Sequence, residues 1–296
     1  MELSLRSPVS LPALAIGDRV RSAARPEWGP GRVASAPNGG KVSVLFREAG
    51  PRTLSLLHAK LEPIAEHEGA DAWLELLSLE PVAPELPHTS PRQAAERFLS
   101  AYPEGFRDPR YQRRERAPLQ AAQSILRETL SRESLRAAGR SRRCEPVCRA
   151  ACEALSAAKL VSAADAALLR RALESSGART RFGAALADLF YSRQAPEVRV
   201  ERFGAALEAI GACRWSLATF FGFARHPDQH AFLRPGETPA AAAALRFDLR
   251  FRPAVNGETY ARLLRLVRAL GAELADLEPA DAFDVHAFLR SVATAG

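Results

Sequence analysis

Turn signals recur through the stretch from Ile16 to Ile64 and cut it into short alternating runs, which fixes the kind of module this part of the chain can form. Gly17-Asp18 opens it, and Arg19-Val20-Arg21 follows with polar and apolar residues in alternation. Trp28-Gly29-Pro30-Gly31 suits a tight corner rather than a strand interior. Residues 32–36 read as a second strand. Asn38-Gly39 predicts a type I′ hairpin turn, because both residues tolerate positive φ. Beyond it Val42, Val44 and Phe46 alternate with Lys41, Ser43 and Leu45, so a third strand with one buried face is expected. Gly50-Pro51 breaks the chain again before Arg52 to Leu56, and residues 61–64 close a short fifth strand. Five short strands so closely spaced fit a small, strongly bent barrel of SH3-like type, in which closure protects the edges.

The segments GDRVR, WGPGRV, KVSVLF and RTLSLLHAKLEPI, in that order, resemble the small Tudor-like module at the C-terminus of UvrD-type helicases. They are also similar to a group of short bacterial proteins built on the same barrel and, more distantly, to the polymerase-binding module of CarD-type regulators. The resemblance covers residues 16–64. It implies docking on a protein partner such as RNA polymerase, or on nucleic acid, and it brings no catalytic residue with it. No phosphate-binding GxxxxGK[ST] occurs in the chain, so a helicase motor is not expected.

At 296 residues the chain has room for two domains and a sizeable core. Its formal charge of +7 favours an acidic partner such as nucleic acid. The basic residues are almost all arginine, with lysine only at Lys41, Lys60 and Lys159, a usage that codon bias in a GC-rich genome also produces. Cys144, Cys148, Cys152 and Cys213 are too few and too clustered for a disulfide framework. No signal peptide and no apolar run of membrane-spanning length is read in the sequence, so a cytoplasmic protein is expected.

The predicted organisation is α+β and multidomain: an SH3/Tudor-like β-barrel over 1–66, an acidic, proline-containing linker over 67–89, and a mainly α-helical domain with at least one strand over 90–296. Residues 1–15 read as a loose lead-in. From Glu66 to Ser90 the chain carries Glu66, Glu68, Asp71, Glu75, Glu80 and Glu85 without Lys or Arg, and Pro81, Pro84 and Pro87 stiffen it. A solvated connection is expected there, with a short helix around Trp73 as its one regular element and folding back onto the basic modules as the alternative. Ser90-Pro91-Arg92-Gln93 gives a helix start with cap, Pro at N1 and capping box. A long helix is predicted over 112–138, started, kinked or divided by Pro118, another over 162–176 capped by Ser162 and stopped by Gly177, and another over 196–210 stopped by Gly211. Residues 246–252 alternate Phe247, Leu249 and Phe251 with charges and predict a strand. Asn256 caps a helix with an apolar stripe through Tyr260, Leu263, Leu264, Val267, Leu270, Leu274 and Leu277. A final helix is expected over 281–291.

Four clusters bear on chemistry. Cys144, Cys148 and Cys152 recur every four residues, a spacing that could serve a metal, yet no second Cys or Cys/His pair completes a tetrahedron; buried apolar thiols and no metal or cofactor are expected. His226, Asp228 and His230 offer an acid–base or metal constellation, but Pro227 spoils the helical spacing, and a capped turn is expected instead. Trp215 to Phe223 concentrates aromatics and reads as a core helix. Arg107, Arg110, Arg113, Arg114 and Arg116, interleaved with Tyr102, Phe106 and Tyr111, match the needs of phosphate neutralisation and base stacking, and Arg140, Arg142 and Arg143 follow further on.

The resulting expectation is a non-enzymatic bacterial binding protein of transcription or DNA repair. The barrel docks on RNA polymerase or a repair or helicase assembly through Arg19, Arg21, Trp28, Arg32 and Arg52, and the helical domain meets DNA, RNA or a second partner through the arginine run. The alternatives are an enzyme with a pocket around His226 to His230, and an adaptor that binds protein alone. No GxSxG, HExxH or kinase set supports the enzymatic alternative.

Overall fold

In the computed structural model, residues 14–65, 71–80 and 87–293 are described. The lead-in before Leu14 and the positions Glu66, Glu68, Pro81, Pro84 and Glu85 lie outside them. The chain divides into two units, Met1–Ser90 and Pro91–Gly296.

In the first unit, β1 (Arg19–Ser22), β2 (Gly31–Asn38), β3 (Lys41–Phe46), β4 (Gly50–Ser55) and β5 (Leu61–Pro63) form one antiparallel sheet in the order β4-β3-β2-β1-β5. The sheet is five-stranded and antiparallel, with β4 and β5 at its edges and no hydrogen-bonded closure between them among the described residues. The hairpin between β2 and β3 turns on Gly39 and Gly40, with φ of 55° and 71° and Asn38 paired to Lys41. The two positive-φ positions of the turn therefore sit one residue later than Asn38-Gly39, and Asn38 ends the strand. Val20, Val33, Val42, Val44 and Phe46 are fully or almost fully buried on one face, with Leu14, Leu54, Leu56 and Leu61 against them. At Gly31, in register with Phe46, an added Cβ would come within 2.7 Å of that ring, so a bare backbone is what lets Phe46 lie in the core.

The opposite face is not left to solvent. α1 (Ala72–Leu76) starts at Asp71, whose Oδ1 accepts the Leu74 N–H at 3.0 Å, and it buries Trp73 and Leu74 to 1% exposure each. Burial of two such side chains is worth roughly 1.5–3 kcal/mol apiece. Asp71 pairs with Arg47, and Glu75 with Arg19 (2.8 Å) and Arg32 (3.7 Å). Further on, Ser90 Oγ donates to Glu48 at 2.7 Å, and the His88 ring lies against Gly50. The described part of the acidic stretch is thus bonded to the arginines of the sheet, and the solvated connection expected there is replaced by the fold-back alternative.

The second unit is built of α2 (Pro91–Ala101), α3 (Pro109–Tyr111), α4 (Ala117–Thr129), α5 (Arg132–Ser141), α6 (Glu145–Ala158), α7 (Ala163–Ala172), α8 (Ser176–Tyr191), α9 (Pro196–Glu208), α10 (Trp215–Arg225), α11 (Thr238–Ala244), α12 (Gly257–Glu273) and α13 (Ala282–Ala293). α10 is buried along its whole length and packs on α4, α7, α8 and α9. The other helices lay one apolar stripe inward, as Asn256-capped α12 does through Tyr260, Leu263, Leu264, Leu266 and Leu270.

Three expectations need correction. The helix predicted over 112–138 is divided, though not at Pro118 alone. A π-helical turn over Gln112–Arg116 leads into α4, which carries Pro118 in its first turn where no intrahelical N–H bond is needed, and the chain then breaks at Leu130, where the Ser131 hydroxyl caps α5 by accepting the Ser134 N–H at 3.1 Å. Gly177 stops nothing: it sits in the first turn of α8, which Ser175 caps through the Ala178 N–H. Residues 246–252 are not a strand. Phe247 and Leu249 are buried in alternation, as the pattern demands, but Asp248 folds back to accept the Arg250 N–H at 3.1 Å, and Arg246 and Arg250 take φ of 59° and 45°. A local side-chain bond has displaced the ladder.

Candidate functional site

Five residues of the first unit were expected to meet a partner, and the structure sorts them. Arg19 and Arg32 turn toward α1: Arg19 Nε donates to Glu75 at 2.9 Å, and Arg32 Nη1 approaches the Leu74 carbonyl at 3.4 Å. Trp28 ends a 3₁₀ turn (Pro26–Trp28) and is half-buried, its ring 5.0 Å from that of Phe46. The guanidinium of Arg52, on edge strand β4, lies over the outer face of that indole, 5.8 Å from its centroid, in cation–π range. Arg52 and Arg21 are exposed, and Arg21 makes no ion pair among the described residues. Trp28, Arg52 and Arg21 are therefore the candidates still able to reach a partner, with Trp28 also serving the core.

The arginine run of the second unit is sorted in the same way. Arg107 pairs with Glu278, and Arg110 with Asp108 (3.4 Å) and the Ala101 carbonyl (2.8 Å). Arg116 is 12% exposed and holds Asp281 at 2.8 Å and Asp284 at 2.6 Å, which raises its pKa further. Among the described residues, Arg113 and Arg114 are the two of the five that are exposed and make no ion pair. Of the interleaved aromatics, Phe106 and Tyr111 are buried against Phe98, with the Tyr111 hydroxyl donating to Asp284 at 2.5 Å, while Tyr102 is half-buried with its ring 5.2 Å from that of Phe98. The sequence pattern does not mark Asp281 and Asp284, whose partners lie about half the chain away, and of the exposed arginines in and just after α5 it singles out Arg140, Arg142 and Arg143 but not Arg136.

The thiols behave as small apolar groups. Cys144 and Cys148 are buried, and burial pushes the Cys148 thiol up to about 12, against the thiolate a metal would need. Among the described residues no group of three or more His, Cys, Asp or Glu is placed to hold a metal ion.

His226 to His230 does form a turn, closed by the His230 N–H donating to the His226 carbonyl at 2.9 Å. Its two imidazoles face different neighbours. His226 meets Phe190 edge-on, whereas His230 is 1% exposed with Nδ1 3.0 Å from the Tyr260 hydroxyl. Asp228 is exposed and bonded to Gln229. Burial lowers His226 to about 4 and His230 to about 3, so both are neutral near pH 7. A third imidazole, His286, is likewise lowered to about 3 by burial between Phe223 and Phe232.

The second unit also carries an open cleft of about 500 Å³ between α9 and the loop before α12, floored by Gly204 and Ala205, walled by Phe251 and Val255, with Glu208 and Arg214 at its rim. No helix among the described residues is long and apolar enough to cross a membrane.

Comparison with known proteins places residues 14–64 in a match to the family model described as Protein of unknown function (DUF3553), which covers the five strands of the sheet. Searches of curated proteins and of solved structures found no match to the chain.

Proposed function

We propose that the protein is a non-enzymatic docking factor of a nucleic-acid machine, either RNA polymerase in transcription or a repair or helicase assembly. The five-stranded sheet is read as a Tudor-like barrel module that holds the protein partner, and the helical unit supplies a basic contact to nucleic acid. The observation that carries the reading is the Trp28–Arg52 pair: an arginine stacked on a half-buried indole at an exposed edge strand, the combination that most often anchors a protein interface. The resemblance of residues 16–64 to Tudor-like and CarD-type modules supports it in kind. The burial of His230, Cys148 and Tyr111 supports the non-enzymatic part, since groups with chemical potential are used up in packing.

The test is recovery of partners from a lysate treated with nuclease, because a basic protein otherwise travels on DNA. Tagged wild-type protein should retain RNA polymerase or repair subunits, and Arg21→Glu with Arg52→Glu should lose them while keeping its circular-dichroism spectrum. Retention of the same partners by that variant would exclude Arg21 and Arg52 as the docking contacts.

A further inference from the structure

We infer that the solvent face of α5 and the turn after it, formed by Arg136, Arg140, Arg142 and Arg143, is a binding surface for the phosphate backbone of double-stranded nucleic acid. The inference rests on the reading of the helical unit as the part that meets nucleic acid, and it moves that contact away from the run over 107–116.

Charge comes first. From Arg132 to Arg143 the chain carries five arginines and a single carboxylate, Glu133. α5 buries Leu135, with Ser131, Ser134 and Ala138 beside it, and packs that side on α8. Arg136 and Arg140 then fall on the outer side one turn apart, about 6 Å along the axis. The helix ends with Arg142 in the left-handed region (φ 54°), its N–H bonded to the last carbonyls, and the Arg143 N–H donates to Ala138 at 3.1 Å. The backbone that carries the last two arginines is therefore held, although no cap glycine is present.

Availability comes second. Arg136, Arg140, Arg142 and Arg143 are exposed, and none makes an ion pair or side-chain hydrogen bond among the described residues. Three of the five arginines over 107–116 are already bound to carboxylates. Arg132, at the start of α5, is spent differently: it lies over the Tyr191 ring at 5.2 Å and donates to the Tyr191 carbonyl at 3.1 Å. Glu133 and half-buried Asp188, which shares a hollow with Arg132 and Arg136, bound the basic face at that end.

The kind of nucleic acid follows from what is missing beside the charges. Single-strand binders stack bases on exposed aromatics. Here the exposed large apolar side chains among the described residues are Ile16 and Leu57, both in the first unit. Tyr191, the ring nearest α5, is covered by Arg132 and Arg225. Guanidinium groups without a stacking platform read phosphates, so the surface suits a duplex of any sequence.

The test measures binding of the full chain to a short random-sequence DNA duplex and to its single strand by fluorescence anisotropy across a salt series. The variant Arg136→Gln, Arg140→Gln, Arg142→Gln, Arg143→Gln keeps helix propensity and touches no buried group. Each lost phosphate contact removes about 0.9 from the slope of log K against log salt, so this variant should flatten the slope by about 3 to 4 units. Arg113→Gln with Arg114→Gln should change it by less than half as much. An unchanged slope in the fourfold variant, with duplex binding by the wild type intact, would overturn the α5 assignment and leave the nucleic-acid reading standing. No duplex binding by the wild type at low salt would overturn both. Tighter binding to the single strand would overturn the choice of duplex.

Discussion

The hydroxyl of Tyr111 donates to Asp284 Oδ1 at 2.5 Å, and Arg116 meets the same oxygen at 2.6 Å, so one carboxylate on α13 ties together residues 173 and 168 positions away. Asp284 Oδ2 accepts the Ala280 N–H at 2.7 Å, which leaves the carboxylate fully bonded although it is 2% exposed. Removal of one partner should cost in proportion to the charge left behind. Tyr111→Phe should lower unfolding stability by about 1 kcal/mol, since Arg116 and Ala280 still serve the carboxylate. Arg116→Met should cost about 3–5 kcal/mol, because Asp284 is then buried without a cation and half-buried Asp281 loses its partner as well. Urea unfolding of the two variants measures the difference.

Asp71 both caps α1 and pairs with Arg47, so Asp71→Ala removes a cap and an ion pair together. A loss of about 1–2 kcal/mol is expected from the cap alone. Hydrogen exchange should show the Leu74 and Glu75 amides of that variant losing protection, while the amides of β2 and β3 keep theirs. Equal loss in both places would mean that α1 and the sheet open as one.

Trp28 and Arg52 should separate in their effects on folding. Trp28→Ala takes an indole from the Phe46 side of the core and should cost about 1.5–3 kcal/mol. Arg52→Ala removes only the exposed cation over the ring, which is worth about 0.5–1 kcal/mol. Thermal melts of the two variants check this, and they explain why surface variants, rather than Trp28, suit a docking assay.

Stability should fall steeply in mild acid. His226, His230 and His286 sit near 4, 3 and 3 when folded against 6.5 when unfolded, so each takes up a proton on unfolding below pH 6.5. A group whose charged form is disfavoured by the fold adds stability that is complete above the unfolded value and drains away as pH falls toward the folded one. Each histidine contributes about 1.4 kcal/mol per pH unit inside that window. Chemical unfolding between pH 7 and about pH 4.5 should show the decline. The variant His286→Gln should show a shallower one, and an unchanged pH slope would place that imidazole in a solvated setting.

Local rules carried the sequence reading a long way. The strands of the sheet, the caps at Asn256 and Ser162 and the burial of Trp215 to Phe223 all depend on neighbours within a few residues, and each can be seen in the string of letters. What failed was pairing at a distance. Glu75 lies 56 positions from Arg19 and Asp281 lies 165 from Arg116, and nothing local marks either acid as the partner that withdraws an arginine from the surface. Asp248 failed for the opposite reason: its bond to Arg250 is so short in sequence that an alternating pattern does not register it.

The wholly buried α10 bears on what can be removed from this molecule. A helix with no face to water cannot be stable until its neighbours close around it, so the amides of Leu217 to Phe223 should exchange only when the entire helical unit comes apart. Fragments that begin between α4 and α9 would keep α10 without its partners and strand an apolar rod in solvent. The helical unit is therefore a single all-or-none piece, and evolution can trim or lengthen it only at its rim.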